Sequence, residues 1–153
     1  MNKLETKLEK RSATNLTACT CANLRKAARV VTQRYEAALQ PTGLKATQFT
    51  VLAILAIRGN LPLTQLAEAL VMDRTTLTRN LKPLIGQGLV AIQNEQDQRV
   101  RRVELTAKGH KAFKAALPHW EKVQSKVVDG LGLKRWSGLL DDLAATIEEV
   151  RSN

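Results

Sequence analysis

The sequence predicts a mainly α-helical fold carrying one small β-hairpin. Aromatic residues make up only 3% of a chain that is 44% hydrophobic, so the core is aliphatic and alanine-rich, which favours helices. Apolar residues recur at steps of three and four along most of the 153 residues, and the period changes to two only beyond Gly88. That length suits one domain or a compact pair of subdomains, with enough core to fold without disulfide staples.

Residues 1–15 alternate charges without an apolar stripe and read as a charged, flexible arm. A long helix follows from Ala22 to Leu39, with Leu24, Ala28, Val31, Tyr35 and Ala38 on one face, stopped by Pro41 and Gly43. The next starts at Thr47 as N-cap, carries Phe49, Leu52, Ala53 and Ala56, and ends at Gly59. A short helix from Thr64 to about Leu70 presents Leu66, Ala67 and Leu70, and a tight turn leads to Asp73, the next N-cap. From Arg74 to Gln87, Leu77, Leu81 and Leu84 share one stripe, and Gly88 terminates it. Two short helices joined by a tight turn form a helix-turn-helix.

Val90 and Ile92, then Val103 and Leu105, alternate with polar residues around a charged tip, which predicts a hairpin. Thr106 caps another long helix bearing Phe113, Leu117, Trp120, Val123 and Val127, bent at Pro118 and closed by Gly130 and Gly132. A last helix, about Lys134 to Arg151, carries Trp136, Leu139, Leu140, Leu143 and Ile147. The expected division is a DNA-binding winged helix-turn-helix unit at 46–106 and a helical dimerisation region formed by 16–45 with 107–153. Apolar stripes at both ends exceed what so small a core can cover, which predicts a homodimer.

Charge narrows the partners. The formal net charge of +10 points to a polyanion, nucleic acid before an anionic membrane. The longest apolar run, Val51 to Ile57, is too short to span a bilayer, and Met1 to Thr17 has no signal-peptide core, so a cytoplasmic protein without membrane contact is expected.

On the Arg74 helix, taking 100° per residue from Leu77, the three leucines fall within about 60°, whereas Thr75, Arg79 and Lys82 lie at about 160°, 200° and 140°. That outward ridge suits a DNA major groove: Arg donates two bonds to guanine, a Thr methyl meets the thymine methyl, and short side chains let the helix approach closely. Met72 to Lys111 holds eight basic residues against four acidic ones, including Arg99, Arg101 and Arg102 at the hairpin tip. A helix in the major groove with a basic wing reaching the adjacent minor groove is the simplest assembly of these parts. Candidate DNA contacts are Thr64, Arg74, Thr75, Thr76, Thr78, Arg79, Lys82, Arg99 and Arg101. Thr75, Thr76 and Thr78 are poor helix formers, and Pro83 denies the Arg79 carbonyl its donor and is expected to bend the helix there.

The run "LTQLAEALVMDRTTLTRNLKPLIGQGLV", then Asp97-x-Arg99, then "VELTAKGH", resembles the MarR family of winged helix-turn-helix regulators over roughly Cys21 to Val150. The resemblance implies that Arg99 enters the minor groove with Asp97 orienting it, and that the first and last helices build an obligate homodimer. It also implies a palindromic operator on double-stranded DNA, and repression relieved by a small ligand, such as a small aromatic molecule, or by an oxidant.

Cys19 and Cys21 are too close for an ordinary structural disulfide and read as free thiols. Cys21, with Tyr35 and Gln48, is spaced like the peroxide-sensing cysteine of the organic-hydroperoxide branch of that family; the chain departs at Arg25 and Ala46, where that branch places tyrosines. A thiol in a first helical turn near Arg25 and Lys26 is open to selective oxidation, so Cys21 and Cys19 are candidate redox sensors, the alternative being small, partly buried residues at a dimer edge. His110 and His119 lack ligand spacing to these cysteines, so no metal is expected, and no cofactor or catalytic motif appears, so no enzyme. The competing reading is a sequence-tolerant, architectural DNA binder or a winged-helix protein-interaction module.

Overall fold

The structure, a computed structural model, describes residues 17–94 and 101–152. The expected flexible arm, and Asp97 and Arg99 of the hairpin tip, lie outside the described residues. The elements run α1 (Thr20–Leu39), a 3₁₀ turn (Gln40–Thr42), α2 (Ala46–Arg58), β1 (Leu61–Pro62), α3 (Leu63–Ala69), α4 (Arg74–Gly86), β2 (Val90–Asn94), β3 (Arg101–Leu105), α5 (Ala107–Leu131) and α6 (Leu133–Ser152). The result is the expected mainly α-helical fold with a small antiparallel sheet as its wing.

The sheet has three strands in the order β1-β3-β2, one more than alternation indicates. Register pairs Val90 with Leu105 and Ile92 with Val103, so the apolar residues of the hairpin share a face. The extra strand pairs Leu61 with Val103 and Pro62 with Arg102. Two residues are too few to show a period, and Pro62 sits on an edge strand, where a missing N–H is tolerated.

The core gathers the predicted stripes. Leu52 from α2, Leu66 from α3, Leu77, Leu81 and Leu84 from α4, and Val103 from β3 are fully buried. Each contributes on the order of 1.5–3 kcal/mol of burial. Phe49 stacks between Phe113 and Trp120 at centroid distances of 5.5 and 5.9 Å, tying α2 to α5 with three of the few aromatic rings in the chain.

Helix ends explain two differences from the expected bounds. α2 begins at Ala46 with Lys45 as N-cap, so the cap falls earlier in the chain than the expected Thr47. The orphan donors find other acceptors: Gln48 Oε1 accepts from Lys45 N at 3.0 Å, and Glu36 Oε1, from α1, accepts from Ala46 N at 2.8 Å. α4 runs on through Pro83 to Gly86, and Gly88 turns the chain at φ 69°. Between α3 and α4, Val71 adopts φ 53°, a costly left-handed conformation for a β-branched residue, and thereby makes the tight turn.

At the other end of the wing, Thr106 caps α5 as expected, its Oγ1 accepting from Gly109 N at 3.0 Å and donating to the Gly88 carbonyl at 2.6 Å. Gly109 lies so close to Leu89 that a Cβ there would fall 1.9 Å from the Leu89 carbonyl oxygen. This close approach accounts physically for the spacing of Thr106 and Gly109.

α1 and α6 behave differently from the rest. α6 has no buried residue, and Leu133, Leu139, Leu140, Ile147 and Val150 are all exposed. On α1, Leu24, Val30 and Val31 are exposed as well. No helix among the described residues is long and apolar enough to cross a membrane.

Candidate nucleic-acid interface

Helix α4 owes its position to two features. Its leucine stripe is buried against α3 and the sheet, and Asp73 fixes its N-terminus: Oδ1 accepts from Thr76 N at 2.8 Å and Oδ2 from the Thr76 hydroxyl at 2.7 Å. These bonds, the backbone one first, hold the Asp73 carboxyl below its ordinary value of 3.8. A carboxyl with a depressed folded-state value adds stability that is fully present above the unfolded value and is lost as pH falls through the lower folded one. Asp73→Asn should therefore lose less stability than the wild type on acidification from about pH 5 to about pH 2, as read from urea midpoints. Parallel losses would remove Asp73 from the acid response.

The outward face of α4 carries the predicted ridge. Arg74, Thr75, Thr78, Arg79 and Lys82, with Ile85, line one shallow groove of about 520 Å³ that contains no carboxylate. All six are exposed. The Thr78 hydroxyl donates to the Arg74 carbonyl at 2.8 Å, so its donor is satisfied within the helix while its lone pairs remain available as acceptors. Thr76 does not join the groove; it is half-buried and its hydroxyl serves the Asp73 cap. Thr64 is exposed at the second position of α3, also outside that groove. Ile85 was not legible as part of the surface, because its apolar side chain reads as core.

The wing arginines separate. Arg101 is exposed at the last described pair of the hairpin, opposite Asn94. Arg102 turns inward to Asn60, its Nη2 donating to Asn60 Oδ1 at 3.1 Å and to the Asn60 carbonyl at 3.2 Å. It clamps β3 to the loop before β1 and positions the wing. Gln93 and Glu104, neighbours across the hairpin, are hydrogen-bonded as well.

Cys19 occupies the N-cap position of α1 without a side-chain cap bond, and Cys21 is exposed in the first turn. Tyr35 lies 14 residues further along the same helix, about 21 Å at 1.5 Å per residue, so the two side chains of one chain do not meet. The Tyr35 hydroxyl instead donates to Gln124 Oε1 on α5, and burial raises its pKa. No group of three or more metal-ligating side chains occurs among the described residues.

A helix-turn-helix whose second helix presents a cationic ridge, followed by a β-hairpin packed on that helix, defines a winged helix-turn-helix protein. Comparison with known proteins places it further. The model of the MarR family matches residues 44–100. The chain is similar to the M. tuberculosis transcriptional regulator MosR, solved in complex with DNA, at 38% identity over 88% of this chain and 97% of that one, with a TM-score of 0.81. It is also similar to the transcriptional repressor CouR bound to a 23-mer DNA duplex, at 25% identity over 86% and 94% of the two chains, with a TM-score of 0.77. A mutant MarR from E. coli, complexed with operator DNA, shares the fold at 20% identity over 82% and 91% of the chains, TM-score 0.74. No curated protein sequence matches the chain. The chain belongs to the MarR family of winged-helix transcriptional regulators.

Proposed function

We propose that this protein regulates transcription by binding a palindromic operator as a homodimer, acting as a repressor that a small ligand or thiol oxidation relieves. The observation that carries the DNA reading is the carboxylate-free groove on α4, where Arg74, Arg79 and Lys82 alternate with Thr75 and Thr78. The arginines read guanine edges or bind phosphates, the threonine methyls meet thymine, and Lys82 neutralises backbone charge. Thr64, in the first turn of α3, and Thr76, in the first turn of α4, complete the major-groove contacts. In the wing, Arg99, oriented by Asp97, and Arg101 reach the minor groove. The DNA complexes of MosR and CouR support the same reading.

Dimerisation is supported by the apolar faces of α1 and α6, which a single chain leaves in water. A symmetric dimer places two α4 ridges on half-sites about one DNA turn apart, which matches a palindrome. The experiment is competition, at physiological salt, between a palindromic site from the DNA upstream of the protein's own gene and random duplex of equal length. Preference of at least about a thousandfold, with two chains per duplex, is expected. Equal affinity for both would establish the sequence-tolerant binder instead.

The oxidation arm rests on Cys21, exposed one helical turn from Arg25 with Cys19 nearby. In the same assay a mild organic peroxide should release the wild type and leave Cys21→Ser bound. Release of both forms would place the reactive group elsewhere.

A further inference from the structure

The chain builds its core largely from leucine and uses methionine only twice, as Met1 and as Met72. Met72 stands in the turn of the helix-turn-helix, between Val71, held at φ 53°, and Asp73, the N-cap of α4. It is half-buried and packs against the hydrophobic core.

Its two polar contacts reach different helices. The Met72 N–H donates to the Ala67 carbonyl of α3 at 2.9 Å, and its sulfur accepts from Asn80 Nδ2 of α4 at 3.4 Å. Asn80 directly follows Arg79 and lines a small cleft with it and Pro83, so the amide that meets the sulfur belongs to the part of α4 that carries the outward ridge. Met72 therefore ties the two helices together. A leucine would fill nearly the same volume, but only a thioether supplies this acceptor, and only a thioether can be oxidised in place.

We propose that Met72 is a reversible oxidation site inside the helix-turn-helix, at which a hypohalous acid converts the thioether to a sulfoxide and so loosens α4 from α3. The sulfur attacks the chlorine of hypochlorous acid, and the O–Cl bond breaks to release hydroxide. Water then adds its oxygen to sulfur as chloride leaves, so the net products are sulfoxide, chloride and one proton. Sulfur gives up the two electrons that chlorine gains. A thioether has no anionic form to activate it, so this reagent is more electrophilic than the mild peroxide that tests Cys21.

The geometry sets the consequence. Oxygen added on the side of Asn80 has no room, because an N–H···O bond alone takes about 2.9 Å and the whole gap from sulfur to nitrogen is 3.4 Å. Oxygen added on the other side makes the side chain polar where it packs on the core. Both drive the side chain toward water and break the link to Asn80. The first turn of α4, which starts at the adjacent Asp73, then loses its fixed angle to α3. That this weakens DNA binding rests on the function proposed above; that α4 loosens does not.

The full chain carrying Cys19→Ser and Cys21→Ser keeps no thiol, so treatment with stoichiometric hypochlorous acid reports on the thioethers. Peptide mass mapping should find one added oxygen on Met72, and methionine sulfoxide reductase should remove it. The oxidised protein should show a Tm roughly 3–10 °C lower, the loss expected for a polar group forced into apolar packing in a chain of this size. It should bind the operator about tenfold more weakly, as when about one chain in ten keeps α4 seated, and both changes should reverse on reduction. The same protein with Met72→Leu should fold as before and show neither change on treatment. Oxidation confined to Met1, or a Met72 sulfoxide that leaves Tm or specific operator binding unchanged, would overturn the proposal. So would equal falls in Tm with and without Met72. Untreated protein that binds operator and random duplex alike, yet loses Tm through Met72 on oxidation, would count against the DNA reading and leave the oxidation site standing.

Discussion

Alanine at Gly109 should destabilise the protein by about 3 kcal/mol or more, since a new methyl group is forced against backbone with no slack. The added Cβ would stand 1.9 Å from the Leu89 carbonyl oxygen, 3.0 Å from its carbon and 3.1 Å from Leu105 Cδ2. The side chain of Leu105 can turn away; the Leu89 backbone cannot, because its N–H is bonded to the Leu84 carbonyl and its carbonyl accepts from Thr106 N. Relief therefore requires α5 to lift from the turn after α4, which pulls Thr106 from the Gly88 carbonyl. At the size of this chain the loss corresponds to a fall in Tm of roughly 6–12 °C at fixed protein concentration. Thr106→Ala, which removes only the cap, should cost about 1 kcal/mol. A Gly109→Ala protein melting within about 2 °C of wild type would show that the junction relaxes freely.

Arg79→Ala should leave folding nearly unchanged, within about 0.5 kcal/mol, because the side chain is exposed and bonded to nothing described. Its effect falls on DNA. As a bidentate base contact, Arg79 contributes about 1–3 kcal/mol of discrimination, so the variant should bind the operator roughly 5- to 150-fold more weakly and tolerate other bases at one position of each half-site. Lys82→Ala provides the contrast: a phosphate contact is lost equally on every sequence, with a shallower dependence on salt. Binding measured at fixed salt against operators varied one base at a time separates the two. A uniform loss in Arg79→Ala would reassign Arg79 to the phosphate backbone.

These two residues differ in how far the sequence reveals them. The outward ridge of α4 follows from counting, because a 3.6-residue period that buries Leu77, Leu81 and Leu84 has to turn Thr75, Arg79 and Lys82 the other way. The threonines resist helix formation, yet the buried stripe and the Asp73 cap maintain the helix around them. Gly109 is different: only the approach of Leu89, 20 residues earlier in the chain, shows why a side chain there has no room. The helix-turn-helix, the hairpin and the caps at Asp73 and Thr106 are local, and each was legible.

What the sequence by itself determined is what depends on near neighbours: the periods that mark helices and hairpin, the turn residues between them, and the cationic ridge. The tertiary structure decided the rest. It added β1 as an edge strand and turned Arg102 to Asn60, 42 residues away, so that one of two adjacent arginines positions the wing while Arg101 stays exposed. It joined Tyr35 on α1 to Gln124 on α5, 89 residues apart. Such pairings depend on how two helices cross, and crossing is set by the packing of whole faces, which leaves no mark at fixed spacing along the chain.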